Sequence, residues 1–144
     1  MPFNNSYVID GELQLKDAGL IAASAAAEVS SVAQILDMGL AFYQGAVILD
    51  ISAIEFDTAN EVYGIFIQGS NSATFASGVV NLGGINLGDA ANGANDDTAT
   101  GRRVLLFNNE INGTLYRYLR LYTVVGGTIV TGINYTAWLS KFFN

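Results

Sequence analysis

The chain has no cysteine, no histidine, a single proline and only 13% charged residues. Without cysteine there is no disulfide framework, no thiolate metal site and no thiol redox chemistry. Without histidine, a serine or cysteine nucleophile lacks its usual base. A lysine base remains formally open to serine, but Lys16 and Lys141 lie in terminal segments with no accompanying motif. The charged fraction is about half of the roughly 25% usual for globular domains, while 51% of the residues are hydrophobic. Part of such a sparsely charged exterior is expected to be covered by something other than water. An enzyme is not expected, nor a cofactor or a bound metal.

A chain of 144 residues fits one domain able to bury a core of its own. Its net charge of −7 is unevenly distributed. Residues 1–100 carry twelve acids and one base, Lys16, giving −11. Residues 101–144 carry Arg102, Arg103, Arg117, Arg120 and Lys141 against Glu110 alone, giving +4. Opposite charge in the two parts can be neutralised by folding or by pairing with another copy. A pI near 4.2 excludes bulk nucleic-acid binding. The N-terminus, with Asp10 and Glu12 and no base before Lys16, does not read as a secretory signal. The uncharged run 121–140 is long enough to span a bilayer. It contains three glycines, an asparagine and four threonines, however, so two strands around a glycine turn are expected instead and no membrane partner.

The most informative segment is Leu115-Tyr116-Arg117-Tyr118-Leu119-Arg120-Leu121-Tyr122. With a period of two, Leu115, Arg117, Leu119 and Leu121 share one side of a strand, and Tyr116, Tyr118, Arg120 and Tyr122 the other. The leucine side suits a core. The aromatic and cationic side has the composition enriched at protein–protein contacts.

Turn signals divide the rest of the chain. Residues 1–16 read as an extended arm. Residues 17–37 are open between a helix, favoured by alanine and an Asp17 cap, and an extended run of small residues. Strands are expected from Val47 to Ile54 and from Glu61 to Gln68, with a weaker one from Phe75 to Leu82. A long loop follows at 83–101. Three strands come next, at Arg102–Phe107, at Thr114–Val125 after an Asn112-Gly113 turn, and at Thr128–Leu139 after Gly126-Gly127. The expected fold is all-β: an antiparallel jelly-roll-like sandwich over residues 38–144, with residues 1–37 as an N-terminal arm.

Other chemical sites are weak. Asp50, Glu55, Asp57 and Glu61 contain the carboxylates a glycosidase needs, but Glu55 to Glu61 reads as a solvated turn. Asn92, Asn95, Asp96 and Asp97 offer oxygen ligands without the EF-hand spacing or its closing glutamate, which reads as an acidic loop tip. Gly83, Gly84 and Gly88 lack the following helix of a dinucleotide site. The arginines carry more. Arg102, Arg103, Arg117 and Arg120 read either as edge charges that discourage aggregation or as ion-pair donors to a neighbouring subunit. Three tyrosines beside Arg120 favour the second. The expected protein interface is therefore Arg102, Arg103, Tyr116, Arg117, Tyr118, Arg120 and Tyr122.

Two ends of the chain carry a family resemblance. Leu13-Gln14-Leu15-Lys16-Asp17-Ala18, Ala22-Ala23-Ser24-Ala25-Ala26 and Ile35-Leu36-Asp37-Met38-Gly39 form the first part. Tyr116 to Tyr122, Gly126-Gly127-Thr128 and Ala137-Trp138-Leu139 form the second. Together they resemble the Bbp16-like capsid cement, or decoration, proteins of tailed bacteriophages. The loop at 83–101 departs from that pattern. The resemblance implies a jelly-roll-like structural protein of the virion, made in the host cytoplasm and placed on the outer face of an icosahedral capsid. It would bridge neighbouring capsomers of the major capsid protein, with residues 1–37 as an extended arm. Self-association is expected as a homodimer rather than a homotrimer, since an isologous contact bridges two capsomers most simply. The alternative is a carbohydrate-binding or host-adhesion β-sandwich module, because exposed tyrosines also stack on sugars.

Overall fold

The computed structural model describes residues 13–88 and 99–141. Among them there are fourteen strands and no α-helix. Six are short: β1 (Gln14–Lys16), β2 (Leu20–Ile21), β3 (Ala25–Ala26), β4 (Glu28–Val29), β5 (Val32–Ala33) and β6 (Leu36–Asp37). Four long ones follow: β7 (Gln44–Ile54), β8 (Val62–Ser70), β9 (Val80–Gly88) and β10 (Gly101–Asn108). A small hairpin of β11 (Glu110–Ile111) and β12 (Thr114–Leu115) turns at Asn112-Gly113. The last two strands are β13 (Tyr118–Gly126) and β14 (Ile133–Lys141).

All pairings are antiparallel; apart from the separate β4–β5 and β11–β12 hairpins they make two five-stranded sheets. The first runs β1-β14-β7-β10, with β2 also on β14; the second runs β3-β13-β8-β9, with β6 also on β13. The opening strand thus lies beside the last one, and the chain crosses between the sheets after β7, after β9, between β10 and β13 and again between β13 and β14, while β8 and β9 form a hairpin within the second sheet. That is an all-β antiparallel sandwich, as expected of the sequence.

Period-two patterning explains why these sheets face each other. Leu49 and Ile51 of β7, Ile65 and Ile67 of β8, Leu119 and Leu121 of β13, and Ile133, Ala137 and Leu139 of β14 meet in one core. Each large apolar side chain buried there contributes about 1.5–3 kcal/mol. Two tyrosines lie fully inside, and each hydroxyl has a partner. Tyr63 donates to the Glu55 carbonyl at 2.9 Å, and Tyr135 shares a 2.6 Å bond with the Thr123 hydroxyl. Burial pushes the Tyr63 hydroxyl up to about 12, helped by the charge of Glu55.

Several sequence expectations are corrected. The choice left open for residues 17–37 resolves to the extended form: their backbone bonds to the sheets, and to itself in a β4–β5 hairpin. The alanines favour helix, but tertiary pairing outweighs that propensity. Nor do residues 13–37 stand apart from a domain starting at 38, because Leu15, Ala27 and Leu36 belong to the core. Residues 1–12 lie outside the described residues. The strand expected at 75–82 is instead β9, whose glycines at 83, 84 and 88 had suggested a loop. The long connection therefore begins only after Gly88, and residues 89–98 lie outside the described residues. The strand expected over 114–125 is broken at Tyr116-Arg117. Among the described residues no helix is long and apolar enough to cross a membrane, and the run 121–140 forms most of β13 and β14.

Glu55 and Glu61 do not sit on a solvated turn. Both are buried and organise the chain around them. The Glu55 carboxylate accepts the backbone N–H groups of Val130, Thr131 and Gly132 at 2.7–3.0 Å, which curls residues 127–132 and delays β14 to Ile133. Hydrogen bonds from Gly132 first, then Thr131 and Val130, hold its carboxyl below the usual range. Glu61 accepts the Thr58 N–H and hydroxyl, both at 2.8 Å. Lys16 is the third buried charge. Its ammonium donates to the carbonyls of Asp17, Gly19 and Tyr135 at 2.8–2.9 Å and lies over the Tyr135 ring. Burial lowers its pKa.

Gly132 has φ +94°, and a Cβ there would collide with the Ile21 carbonyl of β2. Gly132→Ala is therefore expected to destabilise the fold by at least about 1–3 kcal/mol, read as a lower urea midpoint at unchanged slope. Residues 20–22 should become more sensitive to proteolysis in the same variant.

Candidate protein interface

Nine residues of β13 pair with nine of β8, from Tyr118↔Ser70 to Gly126↔Val62, without a register shift. This ladder sends Leu119, Leu121 and Thr123 inward with no exposure. It leaves Tyr118, Arg120 and Tyr122 half-buried on the outer face, as the alternation predicts. Opposite them on the same face stand Phe66 and Gln68 of β8, and beyond those Asn81, Gly84 and Asn86 of β9. Asp and Glu are absent from all three strands, VYGIFIQGS, VNLGGINLG and YLRLYTVVG.

Arg120 is the centre of this face. Its guanidinium carbon lies 4.4 Å from the centroid of the Phe75 ring and 5.1 Å from that of Tyr122. Its Nε donates to Gln68 Oε1 at 2.9 Å, while Gln68 Nε2 donates to Asn81 Oδ1 at 3.1 Å. Such cation–ring contacts contribute about 0.5–1 kcal/mol each when exposed and more when desolvated. Phe75 itself is buried. It is brought over the sheet by a loop that Ser70 and Ser72 fasten: Ser70 Oγ donates to the Ser77 carbonyl at 2.7 Å, and the Phe75 N–H donates to the Ser72 carbonyl at 3.0 Å. Partial burial lowers the pKa of Arg120.

Phe66 lies close against the sheet. A Cβ at Gly64 would stand 2.6 Å from its ring, and one at Gly84 would meet the opposite ring edge. The two glycines thus make room for the ring on the outer surface.

The other expected interface residues are dispersed. Tyr116 and Arg117 lie between β12 and β13, where Asn71 replaces the ladder: its Nδ2 donates to the Leu115 carbonyl and its Oδ1 accepts the Arg117 N–H, both at 2.9 Å. Freed from the strand, Arg117 does not follow the leucines inward. It makes a two-pronged pair with Asp37, 2.8 Å at each prong, and lies over Tyr118. Arg102 and Arg103 belong to the other sheet and do not join this face. Arg102 points outward and forks onto Asp50 at 2.7 and 2.9 Å. Arg103 lies on the core side of β10 and donates to the carbonyls of Arg102 and Ala99.

The sequence reading missed Phe66, Gln68, Phe75 and Asn81. Phe66 and Gln68 had the signal of an alternating strand, whereas Phe75 sits in a loop and carries none. Among the described residues, no group of three potential ligand side chains could hold a metal. Asn92, Asn95, Asp96 and Asp97 lie outside the described residues. The chain matches no protein-family model and no curated protein, so its function is argued from the site.

The Asp37–Arg117 pair has a pH signature. Its hydrogen bonds to Arg117, first, and to the Gly39 N–H hold the Asp37 carboxyl down at about 2. A carboxyl depressed in the folded state stabilises above its unfolded value near 4, and that contribution disappears as pH falls towards 2. Asp37→Asn should therefore be less stable than the parent by a constant small margin above about pH 4. Urea unfolding should show the margin closing between pH 4 and 2.

Proposed function

We propose that this is a structural virion protein that cements the outer surface of an icosahedral phage capsid by bridging neighbouring capsomers of the major capsid protein. The observation that carries the protein-binding part is the outer face of the second sheet. Three strands there have no carboxylate, and they present Tyr118, Tyr122 and Phe66 on the same face as a half-buried arginine that has no acidic partner among the described residues. Aromatic and arginine side chains are the residues that dominate binding energy at protein interfaces. The capsid part is supported by the resemblance of the two chain ends to phage cement proteins.

Such a role needs contact area rather than reactive groups. For an interface of about 1,600 Å² with tyrosine and arginine anchors, nanomolar affinity is within reach. Repetition over a shell then adds the contributions of many copies. A homodimer is the proposed form, with the chain made in the host cytoplasm and placed on the virion exterior.

A second reading, as a carbohydrate-binding module, draws on one observation: Phe66 rests on Gly64 and Gly84, with the amides of Asn81 and Asn86 on the same face. A glycan array discriminates between the two, since the cement role requires no sugar ligand.

Tyr118→Ala combined with Arg120→Ala is expected to leave the protein folded by circular dichroism and to abolish its co-sedimentation with empty heads of the parent phage. Unchanged occupancy of the heads would refute the proposed docking face.

A further inference from the structure

We infer that Arg120 is the receptor for a carboxylate side chain presented by the protein that docks on this face; the inference rests on the protein-binding reading above. The first reason is a contrast among cations. Arg102 and Arg117 each hold an aspartate through two prongs, and Lys16 is saturated by three carbonyls. Arg120 is partly removed from water, yet among the described residues no carboxylate reaches it and only its Nε has a protein acceptor. A partly desolvated cation without an anion is costly, and an incoming carboxylate recovers that cost.

The second reason is preorganisation. Phe75 and Tyr122 fix the plane of the guanidinium, and Gln68, itself tied to Asn81, fixes its rotation. The side chain loses little further freedom on binding. With Nε occupied, the two terminal nitrogens remain, and they can receive one carboxylate end-on.

The third reason is selectivity for the kind of anion. The outer face of β8, β9 and β13 contains no second lysine or arginine, and the chain as a whole carries −7. A phosphate lattice, whether nucleic acid or lipid headgroups, requires several cations together. The Arg117 guanidinium lies over Tyr118 but is already neutralised by Asp37, so the single open guanidinium of this face, stacked on Phe75 and Tyr122, suits a single Asp or Glu set among apolar neighbours.

The test measures binding to empty heads of the parent phage by the full chain and by Arg120→Gln, Arg120→Lys and Arg120→Glu, each checked for an unchanged melting profile. Arg120→Gln is expected to weaken binding about 10- to 100-fold. Arg120→Lys should fall between it and the parent, keeping the charge but losing the planar fork. Arg120→Glu should lose binding and regain it when one surface Asp or Glu of the major capsid protein is changed to Arg. Full binding by Arg120→Gln, with loss in Tyr118→Ala/Tyr122→Ala, would overturn the carboxylate receptor while leaving the docking face intact. Failure of the unmodified chain to bind heads would overturn both. Inorganic phosphate competing better than acetate at equal ionic strength would also overturn the choice of a carboxylate.

Discussion

The unbroken ladder between β13 and β8 fixes which side chains of the arginine/tyrosine run belong to the core. Side chains alternate, so a slip of one residue would expose Leu119 and Leu121 and drive Arg120 inward. The two leucines alone contribute about 1.5–3 kcal/mol each, and an unpaired guanidinium in the core would cost several more. Register is therefore set by the buried side, and the outer face receives whatever the intervening positions hold. Tyr118, Arg120 and Tyr122 stand together because each lies beside a residue that the core requires.

Charge and backbone do a different job at the ends of the sandwich. Residues 17–33 are mostly small, and residues 127–132 contribute few large apolar groups to the core. Neither segment can be held by apolar burial to the extent that the long strands are. Buried charges supply the difference. Lys16 gathers the carbonyls of Asp17 and Gly19 onto that of Tyr135, and Glu55 gathers three consecutive N–H groups of the turn. Each is a charge-assisted contact, stronger than a neutral hydrogen bond. Of the peptide groups recruited in this way, the Tyr135 carbonyl and the Gly132 N–H are in buried surroundings, where an unpaired peptide group is costly.

Much of this was legible in the sequence, and the failures have physical causes. Period-two alternation located β7, β8 and β13, which have large side chains to mark the core face, while turn signals placed β10 and most of β14. β9 was hidden. Gly83, Gly84 and Gly88 look like loop residues, but Gly84 is small because Phe66 lies across it and Gly83 because the Leu106 carbonyl approaches it. The short strands β2 to β6 escaped because pairing with distant partners leaves no local period in an alanine-rich segment. Glu55 and Glu61 looked solvated since a sequence gives no sign of which backbone N–H groups will converge on a carboxylate. Within the candidate site, the β13 face was visible and the loop contribution of Phe75 was not: its position depends on how Ser70 and Ser72 fold the loop back over the sheet.

The opposite charge of the two parts of the chain takes a specific form once folded. Arg102 and Arg117, from the positive part, are neutralised by Asp50 and Asp37 from the negative one. These pairs are exposed and add little stability, yet they remove two of the expected interface cations from competition for a partner. Arg120 differs because its position was decided by the β13 register and its surroundings by β8, β9 and the Phe75 loop, none of which places an acid beside it. The charge asymmetry read from the sequence thus resolves into internal pairing at two arginines and an unanswered guanidinium at a third, and the unanswered one lies where the aromatic side chains are concentrated.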